Sequence, residues 1–388
     1  MPNPSPFSRL RQGLWARARN TPTPVFALAV GVALTMGVGL VVQTVAPQPP
    51  LIVIADSGTF AEGADSLSES SLFVEFDYLA GKGLSSQPGQ GTVYEMVLEG
   101  TPEGALRTLG TFFGVEGDVF QSEYFSPQWQ GYVMGSQDWS GPSLTMTWNG
   151  SGGWYYSDPS VYVDPICEEI PAPEGSGELP GWECYPPESG LALPSPAEAQ
   201  ALAQEAFRVG GLDVATEDIY VLSDDEWGIG VSATMVVGGE PTALEWTMYW
   251  VPGPTLASAS GHSGRAVSRG LYDTVSPVDA VRRLASGSWW GAPAVDYEHF
   301  DHDVHAEESS LGEGQPFEAS ELTIIGSTAT SVLVWDALGG QWIVPGYLLR
   351  YGQEEWERAS VISLKEGVIK LQEVTTIDES PPQEDGEE

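Results

Sequence analysis

From Val25 to Val42 the only polar residue is Thr35, whose hydroxyl can return to a backbone carbonyl one turn back, and Gln43 to Ala46 extend the segment to the length of a span. About 30 Å of hydrocarbon takes roughly 20 helical residues, so this pattern predicts a single membrane span over residues 25–46. Further on, the pattern changes to short amphipathic helices set among alternating strands. Three helix starts share one form: Thr101-Pro102-Glu103, Ser195-Pro196 with Glu198, and Ser276-Pro277 with Asp279. Each places a hydroxyl at the N-cap, proline in the first turn, and an acid where unpaired N–H groups and the positive end of the helix dipole meet it. Apolar residues follow at helical spacing, as in Ala105, Leu106, Leu109 and Phe112, and again in Ala199, Leu202, Ala206 and Phe207.

Between the helices the period is two. Strands are predicted at Leu72–Tyr78, Val93–Leu98, Ser143–Trp148 and Trp154–Tyr156, the last two forming a hairpin around Asn149-Gly-Ser-Gly-Gly153. Others follow at Asp218–Leu222, Gly228–Val237, Ala243–Val251 and Leu256–Ser260. The last set is Leu322–Ile325, Ser331–Trp335, Gln341–Val344, Tyr347–Tyr351 and Trp356–Ile362. The predicted fold class is α+β: an N-terminal transmembrane helix, then a body of antiparallel sheets each packed with one helix. The boundaries follow as a basic tail over 1–24, the span over 25–46 and a tether with a possible strand over 47–90. Three α+β lobes come next at 91–190, 191–275 and 276–371, and an acidic tail at 372–388. The first two lobes share the order helix then meander, the mark of a diverged duplication.

Charge sets the orientation. Arg9, Arg11, Arg17 and Arg19 precede the apolar run, and the first fifty residues hold no Asp, Glu or Lys. The positive-inside rule then keeps the amino terminus in the cytoplasm and the body outside, a single-pass protein of the cell membrane. A cleaved export signal shares this plan. Its apolar core usually spans about 7–15 residues, and Pro47 directly after Thr44-Val45-Ala46 hinders cleavage, so an anchor is favoured. Ala29, Ala33 and Gly37, four apart, give the span a small-residue face on which two copies can pack as a homodimer. The whole chain carries 54 acidic against 15 basic residues, a net charge of −39. Such a surface repels nucleic acid and anionic lipid head groups and suits cations, basic proteins or neutral polymers.

Residues 195–371 bring a family likeness. SPAEAQALAQEAF, DIYVLS and the strands ending in TLASASG resemble the helix-then-meander layout of PepSY-type domains. SPVDAVRRL followed by LVWDALGGQWIVPGYLLRYG, with Trp342, Pro345 and Tyr347, is similar in plan to the outer domain of YycI-like membrane-anchored regulators of sensor kinases. The resemblance implies PepSY-like lobes and a regulatory, non-enzymatic role. It carries no functional residue onto this sequence, and the acidity departs from the pattern.

Candidate chemistry is sparse. Cys167 and Cys184, the only cysteines, lie in a segment rich in Pro, Gly and Glu and are expected to close a disulfide in an oxidising compartment. His299, His302 and His305 recur every third residue, interleaved with Asp301 and Asp303, a candidate set for Zn²⁺, Ni²⁺ or Cu²⁺ set against an exposed acidic loop. Gly261-His262-Ser263-Gly264 puts serine beside histidine, but Arg265 stands where a nucleophile elbow needs its second glycine. Fourteen tryptophans include the pair Trp289-Trp290, one of which alternation would turn outward, as on glycan-binding surfaces. No Walker loop, dinucleotide fingerprint or H-E-x-x-H motif occurs, and no cofactor is expected beyond a possible metal ion. The expectation is a non-enzymatic, membrane-anchored regulatory or protein-binding module of the bacterial envelope, partnered by an envelope or membrane protein. The alternatives are a cell-wall or glycan-binding module and a metal-binding protein.

Overall fold

The computed structural model describes residues 50–54, 76–126, 129–138, 140–162, 164–171, 179, 181–186, 192–253, 255–295, 320–352 and 357–372. In chain order the elements begin with β1 (Ile52–Ile54), β2 (Phe76–Ala80), β3 (Gln90–Val97), α1 (Pro102–Phe113), β4 (Phe120–Gln121), β5 (Gly131–Gly135), β6 (Ser143–Thr147) and β7 (Gly153–Ser157). Next come β8 (Ile166–Ile170), β9 (Gly181–Tyr185), α2 (Pro196–Val209), β10 (Tyr220–Asp224), β11 (Ile229–Val237), β12 (Glu240–Val251), β13 (Thr255–His262) and β14 (Arg265–Asp273). The chain then forms α3 (Pro277–Ala285), β15 (Ala292–Pro293), β16 (Ser320–Ile324), β17 (Gly326–Trp335), β18 (Gln341–Arg350), β19 (Arg358–Ile362) and β20 (Ile369–Leu371).

The three helices begin where local cap chemistry places them. Thr101 Oγ1 accepts from the Gly104 amide at 3.1 Å, and Gly114, at φ +70°, ends α1. The Glu198 carboxylate accepts from both the amide and the hydroxyl of Ser195, and Ser276 Oγ accepts from the Asp279 amide. Ala199, Ala203, Ala206 and Phe207 form the buried stripe of α2.

Strand makes up 48% of the described residues and helix 16%, so the expected α+β body of separately helix-packed sheets gives way to a mostly β protein. Its largest element is an eight-stranded sheet in the order β10-β11-β12-β13-β7-β6-β5-β4. The physical reason is edge satisfaction: β13 and β7 would each end a meander with unpaired N–H and C=O groups, and instead they pair antiparallel from Ser258↔Ser157 to His262↔Gly153. A six-stranded sheet follows β14-β3-β18-β17-β15, with β19 also on β18. The inner face of the first sheet, with Leu144, Met146, Trp154 and Trp246, packs under α1 and α2 in one core; a second core gathers Val281, Trp289, Val344 and Val361 beside α3.

A membrane anchor is also corrected. The span expected over residues 25–46, with Ala29, Ala33 and Gly37, lies outside the described residues. Among the described residues no helix is long and apolar enough to cross a membrane. The longest, α2, has 14 residues and so rises about 21 Å, short of a hydrocarbon core of about 30 Å. The single-pass assignment and the cell-membrane localisation built on it are therefore withdrawn.

Candidate functional site

Between β7 and α2 the chain leaves both sheets and folds on itself. β8 and β9 pair only with each other, antiparallel, in the register Ile166↔Tyr185, Cys167↔Cys184, Glu168↔Glu183, Glu169↔Trp182 and Ile170↔Gly181. Cys167 and Cys184 face each other across the ladder and are bonded, with their Cα atoms 4.0 Å apart. A lone two-stranded hairpin is marginal in water, so the covalent staple supplies what a core would otherwise provide. Opposed residues share a face, which puts Ile166, Ile170 and Tyr185 around Glu168 and Glu183 on one side, and Trp182 with Glu169 and the disulfide on the other.

Both sides are open. Trp182 is 66% exposed and Ile166 55%, with Ile170, Tyr185 and Leu179 also exposed. Glu168 and Glu183 stand directly opposite, an arrangement of like charges that disfavours the pair. The hydrogen bond from the Tyr185 phenol to Glu183 raises the tyrosine pKa, and the charges of Glu168 and Glu226 add to it. Glu226 belongs to the β10–β11 turn, which puts the hairpin base beside an aromatic footing. There the Tyr249 hydroxyl donates to the Trp227 carbonyl at 3.2 Å. Burial pushes the Tyr162 and Tyr249 phenols up, and the proximity of Tyr155 to Tyr162 and of Tyr162 to Tyr249 acts in the same direction.

Since β8 and β9 belong to neither large sheet, opening the disulfide should be a local event. Reduction of the full chain is expected to shift its Tm by less than about 2 °C while exposing residues 166–185 to protease. A fall in Tm of more than about 5 °C would show instead that the staple supports the body.

The serine and histidine of residues 262–263 do not form a pair. His262 Nδ1 lies 2.7 Å from the Oγ of Ser151, with the Trp246 indole edge-on to the imidazole at 5.1 Å. Burial pushes the His262 pKa down to about 4. Ser151 is 2% exposed and sits where β13 crosses into β14, its carbonyl accepting from the Ser263 and Gly264 amides. A hydroxyl so enclosed is out of reach of a substrate, and Ser151 serves the fold instead, its amide donating to Gln341 Oε1 of β18 at 2.8 Å and so linking the β6–β7 turn to the six-stranded sheet. Its partner across 111 positions has no signal in the sequence beyond the Gly-rich turn that holds it.

Trp289 and Trp290 lie in the turn after α3 rather than on a strand. Trp289 is buried under the Arg283 guanidinium, and Trp290 points outward, 63% exposed. His299, Asp301, His302, Asp303 and His305 lie outside the described residues. Among the described residues no group of three or more His, Cys, Asp or Glu side chains is placed to hold a metal ion.

No family model matches the chain, and no curated protein matches it. A solved structure similar to it is that of an uncharacterized protein from Eubacterium rectale, with 9% sequence identity and a TM-score of 0.32. The likeness covers 71% of this chain and 82% of that one. It lends no weight to an assignment of fold or function.

Proposed function

We propose that this chain is a non-enzymatic, regulatory protein-binding module that engages a partner through the disulfide-closed hairpin. One observation carries the reading: none of the ten hairpin residues is buried, although Ile166, Ile170, Trp182 and Tyr185 are of types that proteins normally cover. The covalent staple holds these side chains in one arrangement before binding, which lowers the ordering cost of association. Glu168, Glu169 and Glu183 between them call for a basic partner, since pairing with Lys or Arg relieves the repulsion of the facing carboxylates. Trp182 on one face and Tyr185 on the other give each side of the hairpin an aromatic anchor of the kind found at interface centres, and the glutamates supply the rim. The resemblance of residues 195–371 to PepSY-type regulatory domains points to the same class of activity.

A photo-crosslinking side chain placed at position 182 of the full chain tests this. One adduct with a protein of high isoelectric point is expected, its yield falling about ten-fold when Cys167 and Cys184 are both changed to serine. A yield no greater than that from the same probe at exposed Asp213 would refute the proposal.

A further inference from the structure

The eight-stranded sheet gives one face to the core under α1 and α2, and its other face carries a row of side chains that runs across the strands. Phe120 of β4 opposes Val133 of β5, which opposes Thr145 of β6, and the row continues through Tyr155 of β7 and Ser260 of β13 to Thr247 of β12. Opposed residues share a face, and alternation sends the neighbouring Leu144, Met146 and Trp154 into the core instead. Six strands at a spacing of about 4.8 Å make the row about 24 Å long. After β4 the chain turns back and lays Phe125 on this face. Gly131 permits it, because a Cβ there would collide with the Phe125 ring.

A cavity lies on each side of that ring. One of about 700 Å³ is bounded by Phe120, Phe125, Val133 and the loop at Ser136 and Gln137, and one of about 310 Å³ by Phe125, Tyr155 and Ser260. Phe125 and Thr145 line both, so the two cavities form one groove across the strands.

Its walls combine aromatic faces with uncharged polar groups. Phe120, Tyr124, Phe125 and Tyr155 supply rings, while Gln121, Gln137 and Thr145 supply two amides and a hydroxyl. Among the described residues these three polar side chains make no hydrogen bond, which leaves their donors and acceptors for a ligand. A side-chain amide sets a donor beside an acceptor and so matches two neighbouring hydroxyls, and a ring face covers the C–H side of a pyranose. Among the described residues no Lys or Arg lines either cavity, and with a net charge of −39 the chain turns anions away. An extended peptide would seek unpaired N–H and C=O groups at a strand edge. The groove instead crosses strands whose backbone groups are already paired with one another.

We propose that this groove binds a neutral polysaccharide. Pyranose rings stack on Phe125 and Tyr155, and their hydroxyls bond to Gln121, Gln137 and Thr145. The groove shares no residue with the disulfide hairpin, so neither proposal depends on the other.

Isothermal titration of the full chain with cellohexaose, mannohexaose and xylohexaose tests this, with trigalacturonate and decaproline as the charged and peptide comparisons. At least one of the three neutral hexasaccharides is expected to bind about ten-fold more tightly than either comparison, with an affinity that salt leaves nearly unchanged. Tyr155→Ala, at a position already 46% exposed, is expected to weaken that binding about five- to ten-fold. The double variant Gln121→Ala with Gln137→Ala, both at exposed positions, is expected to do the same, and both proteins should keep the wild-type Tm within about 2 °C. No heat from any of the three hexasaccharides, binding of decaproline or trigalacturonate at equal or higher affinity, a steep loss of affinity with salt, or an affinity unchanged in either variant would each overturn the proposal.

Discussion

Gly261→Ala is expected to destabilise the protein by about 3 kcal/mol, the cost of forcing a methyl group into a filled core. A Cβ at Gly261 would fall 2.2 Å from Trp246 Cδ1, 2.4 Å from Trp246 Nε1 and 2.7 Å from Trp154 Cζ2. All three distances are well inside van der Waals contact, and neither ring can give way. Trp246 is fully buried and Trp154 nearly so, packed among Phe113, Phe207 and Met248. Gly210 closes the other side, where an added Cβ would meet Trp154 Cζ2 at 2.6 Å and where the Trp246 indole N–H donates to the Gly210 carbonyl at 3.4 Å. Two glycines on separate elements thus shape one slot for two indoles, and both lie where the halves of the eight-stranded sheet join. Equilibrium denaturation by urea measures the loss as a lower midpoint. Gly141→Ala serves as the control, because the nearest atom to its added methyl is 3.9 Å away, and a change within about 0.5 kcal/mol is expected there. Equal stability of the two variants would mean that the indoles have room to move.

The same slot shows why some of the fold was legible in the sequence and some was not. Helix starts are local events, written in a hydroxyl, a proline and an acid within four residues, and α1, α2 and α3 begin at Pro102, Pro196 and Pro277. The pairing of β7 with β13 depends on Trp154 meeting Gly261, residues far apart in the chain, and no periodic pattern encodes such a contact. β14 was hidden for a related reason. Arg265–Asp273 has little buried surface and a bulge between Ser268 and Gly270, as suits an edge strand, so its alternation is lost. Pro345 splits the pattern of β18 into two apparent strands. The structure keeps one, because Pro345 falls where pairing on that side passes from Trp342 and Ile343 with β3 to Gly346 onward with β19. The hairpin lay inside a segment whose Pro, Gly and Glu content suggests a loop. Its cysteines are legible, but no local pattern tells that Ile166, Ile170 and Trp182 have no core to enter.

Acidification is expected to weaken the protein through His262 alone by up to about 3 kcal/mol, with the loss confined to a defined window. In the fold burial holds the imidazole pKa at about 4, against an ordinary value of 6.5. Between these two values the unfolded chain binds the proton and the folded one does not, so stability from this residue falls as pH drops through 6.5 and levels off below about 4. Above pH 6.5 both states are neutral and the residue adds no pH dependence. The sign matters because the rest of the chain pulls the other way: with 54 acidic residues at a net charge of −39, protonating carboxylates relieves repulsion and favours the compact state. A bare pH titration therefore mixes two opposed effects, and the informative quantity is the difference between the wild type and His262→Asn. Asparagine can place a polar atom near the position of Nδ1, facing the Ser151 hydroxyl, and it does not titrate. The ratio of the two unfolding constants is expected to be flat above pH 6.5 and to shift in favour of the variant by about one hundred-fold between pH 6.5 and 4. If the two proteins keep parallel pH profiles across that window, the imidazole is solvated or accepts its proton in place, and the Ser151–His262 contact is not the neutral pair that its burial implies.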